Sequence, residues 1–260
     1  MILTPVTDLE SPQLQIYRFL RDNKTTQDNS FIADSPKVVN EILKSDIEIR
    51  SILATQTYYD KFTELIEAKN IPTLFVAPKE LMESIVGHKI HHNVMMHGIR
   101  PEQIALEKLG NHIVMLDQFS KTENIGSIVR SAVALGVDAM VAPNYPHPYG
   151  RRALRVSMGH IAKLPVHTYD NLESTIKALK ELGYRIYAAE VTADATPLAQ
   201  VEPSERWVLL MGHEHTSISV ELLALCDETI QIEMNPQIKS FYVAIAASII
   251  FYQFKSKNTY

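Results

Sequence analysis

From Ile113 to Phe254, short apolar runs alternate with amphipathic ones, and this alternation constrains the fold more than any other feature of the chain. Strand-like runs fall at Ile113–Leu116, Ala139–Ala142, Val166–Tyr169, Arg185–Ala189, Trp207–Met211 and Thr229–Ile232. Helical segments, with apolar residues three and four apart, follow at Ile125–Leu135, Leu172–Leu182, Val220–Leu225 and Ile238–Phe254. Parallel strands need a long crossover, and strand–helix alternation at these spacings implies a parallel sheet. At the head of the first helix, Asn124 is placed to serve as N-cap. Gly136 suits the left-handed position past the helix's carboxyl end.

The first hundred residues carry shorter alternating elements. Helices are expected at Pro12–Arg21, Pro36–Lys44, Tyr58–Ala68 and Lys79–Val86, and strands at Phe31–Ala33, Ile47–Leu53, Thr73–Val76 and Asn93–Ile99. Val38, Val39, Ile42 and Leu43 show the helical spacing clearly. Residues 101–112 read as a polar, charged link. The chain therefore divides into a smaller N-terminal α/β domain over 1–100, a link, and a larger α/β domain over 113–260.

Composition narrows the function classes. A single cysteine, Cys226, rules out an intramolecular disulfide framework and fits a reducing compartment. The N-terminus lacks a basic, then apolar, leader, and the longest apolar run, Tyr242–Tyr252, is too short to span a bilayer. The expectation is a cytoplasmic protein with no membrane partner. The net charge of −5 argues against a polyanion partner, but its distribution does not. Ala139–Tyr169 has no acidic residue and holds Arg151, Arg152, Arg155 and Lys163. Ser84–Pro101 is also free of acids and holds Lys89, Arg100 and the histidines 88, 91, 92 and 97. Either stretch is a solvated basic face or a footprint for a polyanion.

Several common chemistries are missing. No two glycines are separated by a single residue, so there is no G-x-G dinucleotide fingerprint, and no G-K-[ST] phosphate loop occurs. The four histidines have neither a cysteine pair nor an H-E-x-x-H beside them, so no metal site is expected.

What remains is a set of segments in a fixed order. Asn124-Ile125-Gly126-Ser127-Ile128-Val129-Arg130 opens a helix as N-x-G-x-x-x-R. Arg155-Val156-Ser157-Met158-Gly159 is followed by Leu164-Pro165-Val166. Met211-Gly212-His213-Glu214-His215-Thr216-Ser217-Ile218 ends a strand, and Ile232-Glu233-Met234 precedes Ser240-Phe241-Tyr242-Val243-Ala244. Together these resemble motifs 1, 2 and 3 and the intervening R-x-S-x-G…L-P-V segment of SpoU (TrmH-like) RNA methyltransferases of the SPOUT superfamily. The likeness covers roughly Ser30 to Phe254.

That resemblance implies a trefoil-knotted C-terminal domain, an N-terminal RNA-binding domain, and a homodimer with its site near the subunit interface. It further implies transfer of a methyl group from S-adenosylmethionine to a ribose 2′-hydroxyl of tRNA or rRNA, with S-adenosylhomocysteine as product. Carried over by motif, the cofactor-binding residues are Gly212, Ile232, Met234, Phe241 and Tyr242, and the catalytic group is Arg130, Asn124, Glu214 and Ser240. A glycine at a strand end lets a ligand approach the backbone closely. Arg130 lies on the polar stripe of its helix with Ser127 and Ser131. A guanidinium stays charged at any working pH, so it suits binding an RNA phosphate and stabilising a developing alkoxide, not abstracting a proton. Glu214 is placed either to orient a backbone or ribose group or to favour a helix amino end. Ser240 either fixes the cofactor loop or caps the last helix.

The chain departs from the family pattern at three places. Ser217 replaces the second glycine of motif 2, Phe241-Tyr242 replaces the Leu-Asn of motif 3, and Asp34-Ser35 stands where Glu-Gly is usual. The competing reading is a non-catalytic RNA-binding relative that has kept the fold.

Overall fold

The structure is a computed structural model that describes residues 1–19, 28–212, 217–235, 237–238 and 240–258. It forms two compact units, Met1–Glu102 with Tyr149–Ala162, and Gln103–Pro148 with Lys163–Tyr260.

The first unit contains β1 (Thr4–Pro5), α1 (Gln15–Arg18), β2 (Ser30–Asp34), α2 (Pro36–Leu43), β3 (Ile49–Ala54), α3 (Gln56–Lys61), α4 (Thr63–Glu67), β4 (Thr73–Val76), α5 (Lys79–Val86) and β5 (Val94–Ile99). Its sheet runs β1-β4-β3-β5-β2, with β5 antiparallel to both neighbours. Val38, Val39, Ile42 and Leu43 are all buried, as the spacing of α2 requires. The expected helix Tyr58–Ala68 is broken at Phe62, whose φ of −122° leaves the helical range while its ring packs 4.9 Å from Tyr58. The first helix begins as a 3₁₀ turn, Pro12–Leu14, and the expected end at Arg21 lies outside the described residues.

Tyr149–Ala162 also belongs to this unit, although the motif reading assigned that stretch to the C-terminal domain. It contains α7 (Arg151–Val156), which the sequence did not announce because only Ala153 and Leu154 are buried in it. The Arg151 guanidinium donates to Asp34 Oδ2 at 2.8 Å, and Tyr149 packs on Phe31 with ring centroids 5.3 Å apart. Gly159, at φ +82°, sits where a Cβ would stand 2.9 Å from the Val38 carbonyl.

The second unit contains β6 (His112–Leu116), α6 (Thr122–Leu135), β7 (Ala139–Pro143), β8 (Val166–Tyr169), α8 (Leu172–Glu181), β9 (Arg185–Ala189), β10 (Thr196–Pro197), β11 (Trp207–Met211), α9 (Val220–Leu223), β12 (Glu228–Gln231) and α10 (Val243–Asn258). The sheet is parallel throughout, in the order β10-β12-β9-β11-β6-β7-β8. β6, β7 and β11 are almost wholly buried, which is why they read as continuous apolar runs. Gly136 takes the left-handed C-cap of α6 at φ +80°.

Two expectations about helix ends are corrected. Lys121, in extended conformation, is the N-cap of α6, so Asn124 lies inside the first turn. The last helix starts at Val243, not Ile238, because Ser240–Tyr242 are drawn into a cavity wall instead of a helical turn. Ser240 therefore does not cap it.

Candidate active site

Parallel strands end at one edge of a sheet, and ligands of open α/β folds bind outside those carboxyl ends. In the second unit β12, β9 and β11 are neighbours. Ile232, Glu190 and Gly212, each just past one of these strands, line a single cavity of about 440 Å³. Ser240, Phe241, Tyr242 and Val243, with Ala246 and Ile250 of α10, add a second wall. Lys121 and Asn124 enter from the start of α6. The size is that of a small-molecule or cofactor pocket.

Several of its polar groups are tied down. Asn124 is fully buried, and its Oδ1 accepts a hydrogen bond from the Tyr242 hydroxyl. The Glu190 carboxylate accepts from the backbone amides of Val191 and Ile218, each at 2.9 Å. The second of these bonds ties Ile218 to the end of β9. The Asp117 amide donates to the Met211 carbonyl at 3.0 Å, holding the ends of β6 and β11 together. A Cβ on Gly212 would stand 2.8 Å from Cγ1 of Ile218, itself buried. Ile232, Met234, Phe241, Val243 and Ile250 give the lining its apolar surface. One cation, Lys121, and one carboxylate, Glu190, are the charged side chains among the described lining residues. Such a pocket suits a flat, partly apolar ligand bearing both hydroxyl donors and charge.

The model of the SpoU rRNA methylase family matches residues 111–252. The chain belongs to that family. Among its relatives is an uncharacterised tRNA/rRNA methyltransferase of Mycobacterium tuberculosis, 27% identical over 260 residues, covering 95% of this chain and 90% of the relative. The 23S rRNA (guanosine(2553)-2′-O)-methyltransferase RlmP of Bacillus subtilis is 24% identical over 233 residues, 88% of this chain and 90% of its own. In fold, the chain is similar to the AdoMet-bound rRNA methyltransferase of Sinorhizobium meliloti, with a TM-score of 0.83 at 22% identity over 98% of both chains.

Within this SpoU chain, seven of the motif residues named from the sequence line the one cavity: Asn124, Gly212, Ile232, Met234, Ser240, Phe241 and Tyr242. Arg130 does not. It is exposed on α6, beyond the lining of its own chain's cavity. Beside it, Ser127 Oγ donates to the Glu123 carbonyl at 3.0 Å, and Ser131 Oγ accepts from Ser248 at 2.7 Å. Glu214 lies outside the described residues. Lys121, Glu190 and Val191 line the cavity and were missed by motif reading. The signal for Glu190 was present, since a carboxylate directly follows a strand of a parallel sheet at its carboxyl end. Among the described residues no group of three or more His, Cys, Asp or Glu could hold a metal ion. His97 lies 2.7 Å from Ser30 Oγ, and His88 Nδ1 lies 2.9 Å from the Val86 carbonyl.

Proposed function

We propose that this chain methylates a ribose 2′-hydroxyl of tRNA or rRNA, using S-adenosylmethionine. The observation that carries this reading is the gathering of the motif 1, 2 and 3 residues of a SpoU chain around one cavity. The relatives named above act, by their names, on tRNA or rRNA, and one is a ribose 2′-O-methyltransferase.

The residues present fit the cofactor. Ile232, Met234 and Phe241 offer apolar surface for an adenine, Gly212 leaves backbone near the ligand unobstructed by a side chain of its own, and Lys121 matches a carboxylate. When bound, S-adenosylmethionine supplies an electrophilic methyl group on a sulfonium. The chain's part is then to position, exclude water and stabilise charge. Asn124, held by Tyr242, fixes one side of the reaction space. Arg130 holds an RNA phosphate and stabilises the alkoxide as the hydroxyl loses its proton to neighbours or solvent. This chemistry requires no metal.

On this reading the protein is cytoplasmic and the first unit binds the RNA, a role supported by its basic residues Arg151, Arg152 and Arg155, of which Arg151 and Arg155 also face Asp34. The motif 2 and motif 3 segments would form the threaded part of a trefoil knot. The protein acts as a homodimer through α10, where Ile245 and Tyr252 remain 51% and 66% exposed. Ile250, on the same helix, is buried within the chain. No helix among the described residues is long and apolar enough to cross a membrane.

Mapping 2′-O-methyl sites in RNA from cells lacking this protein, with restoration by the purified chain and labelled S-adenosylmethionine, tests the activity. Loss and restoration of one site is the expected result. Unchanged methylation everywhere would overturn it. Sedimentation should give twice 29.4 kDa.

A further inference from the structure

We infer that Glu190 is a specificity-determining residue that recognises the vicinal hydroxyls of the cofactor's ribose, an assignment that rests on the cofactor reading above. An adenosine group presents two neighbouring hydroxyl donors, which need fixed acceptors at the pocket wall. Glu190 stands just past the carboxyl end of β9, between the ends of β12 and β11 in the sheet order, and lines the cavity. It is the one anionic side chain among the described lining residues.

Asn124, Gln231 and Lys121, also in the lining, suit this role less well. Asn124 Oδ1 already accepts from Tyr242. Gln231 commits its amide nitrogen to the Ala195 carbonyl at 3.2 Å. Lys121 is a donor only. An ionised carboxylate accepts at about four lone-pair positions, and the amides of Val191 and Ile218 take two of them. Those two amides also fix the carboxylate before the ligand arrives, so little side-chain freedom is lost on binding. Acidic residues at comparable strand ends bind ribose hydroxyls in dinucleotide folds, for the same chemical reason.

A purely structural role is the competing account, since Glu190 ties Ile218 to β9. The two accounts differ in what removing a ligand hydroxyl does. Calorimetry should compare S-adenosylhomocysteine with its 2′-deoxy analogue on the parent protein, Glu190→Gln and Glu190→Ala, with thermal melts as a check on folding. A hydrogen bond to a charged group corresponds to about 10- to 100-fold in affinity, so the parent should prefer the hydroxylated ligand by that ratio. In Glu190→Ala the ratio should collapse to about 2-fold or less, with Glu190→Gln between the two; if the alanine variant does not fold, the glutamine variant decides. An unchanged ratio, with both ligands weakened alike, would leave Glu190 a loop tie and overturn the inference. So would a parent ratio near one. A parent that binds neither ligand defeats the cofactor reading itself, and the assignment of Glu190 with it.

Discussion

The hydroxyl of Tyr242 donates to Oδ1 of Asn124, joining motif 3 to motif 1 across 118 residues of sequence. Asn124 is fully buried while Tyr242 is 53% exposed, so the bond reaches from the cavity rim to its floor. Tyr242 stands where the SpoU pattern has asparagine, and the phenol keeps a polar link to motif 1 at that place. Tyr242→Phe removes the donor and leaves the ring. S-adenosylmethionine affinity should fall by about 5- to 10-fold, the worth of one neutral hydrogen bond. Calorimetry on the two proteins reads this directly, and equal affinities would show that the bond does nothing for the cofactor.

Gly212 is demanded by packing as well as by any ligand. A Cβ there would sit 2.8 Å from Ile218 Cγ1, closer than carbon contacts allow. Gly212→Ala should therefore destabilise the protein by about 1–3 kcal/mol, the range for overpacking. Ile218→Ala opens that space at a cost of its own. In the double variant the losses should sum to less than the two single losses, because the second substitution relieves the first. Chemical denaturation of the three variants gives the coupling, and strict additivity would place the strain elsewhere. Loss of cofactor binding in a bulkier variant such as Gly212→Val therefore carries little information without a matching stability measurement.

The parallel sheet was legible because its central strands are buried on both faces and so must be apolar throughout, as Val208, Leu209 and Leu210 are. The motif residues were legible as a set, and seven of them share one cavity. What failed to show was whatever depends on three-dimensional neighbours. Asn124 looked like a cap because asparagine prefers that position, yet Lys121 takes it and Asn124 is buried against Tyr242. α7 carries too few apolar residues to announce itself, since Arg151 and Arg155 turn to Asp34 instead. Glu190 belongs to no motif, and only the sheet order brings it beside Gly212 and Ile232.

Ser35 occupies φ +86° and ψ 140°, a conformation that glycine adopts far more readily than serine. The SpoU pattern has glycine at this position, which lies between β2 and α2. Ser35→Gly should relieve the strain, partly offset by the greater freedom of glycine in the unfolded chain. A net gain of about 1 kcal/mol is expected, seen as a rise in melting temperature. A fall in stability would show that the serine side chain contributes more than its backbone costs.

Arg130 should matter for turnover and hardly at all for cofactor binding. It is exposed on α6 and lies outside the lining of its own chain's cavity, so its removal takes no contact from a ligand held there. Arg130→Ala should leave S-adenosylmethionine affinity within about 2-fold, less than the worth of one neutral hydrogen bond. The methylation rate should drop by about two to three powers of ten, typical of losing one preorganised group that stabilises developing charge. Arg130→Lys keeps the charge but not the planar fork that pairs with phosphate oxygens, so it should recover only a small part of the rate. Single-turnover methylation of the identified RNA, with cofactor saturating, separates the chemical step from binding. If Arg130→Ala methylates at the parent rate, the guanidinium has no part in the reaction. If the rate is normal at saturating RNA but its concentration dependence shifts, Arg130 serves RNA binding alone, and the alkoxide must be stabilised from within the cavity.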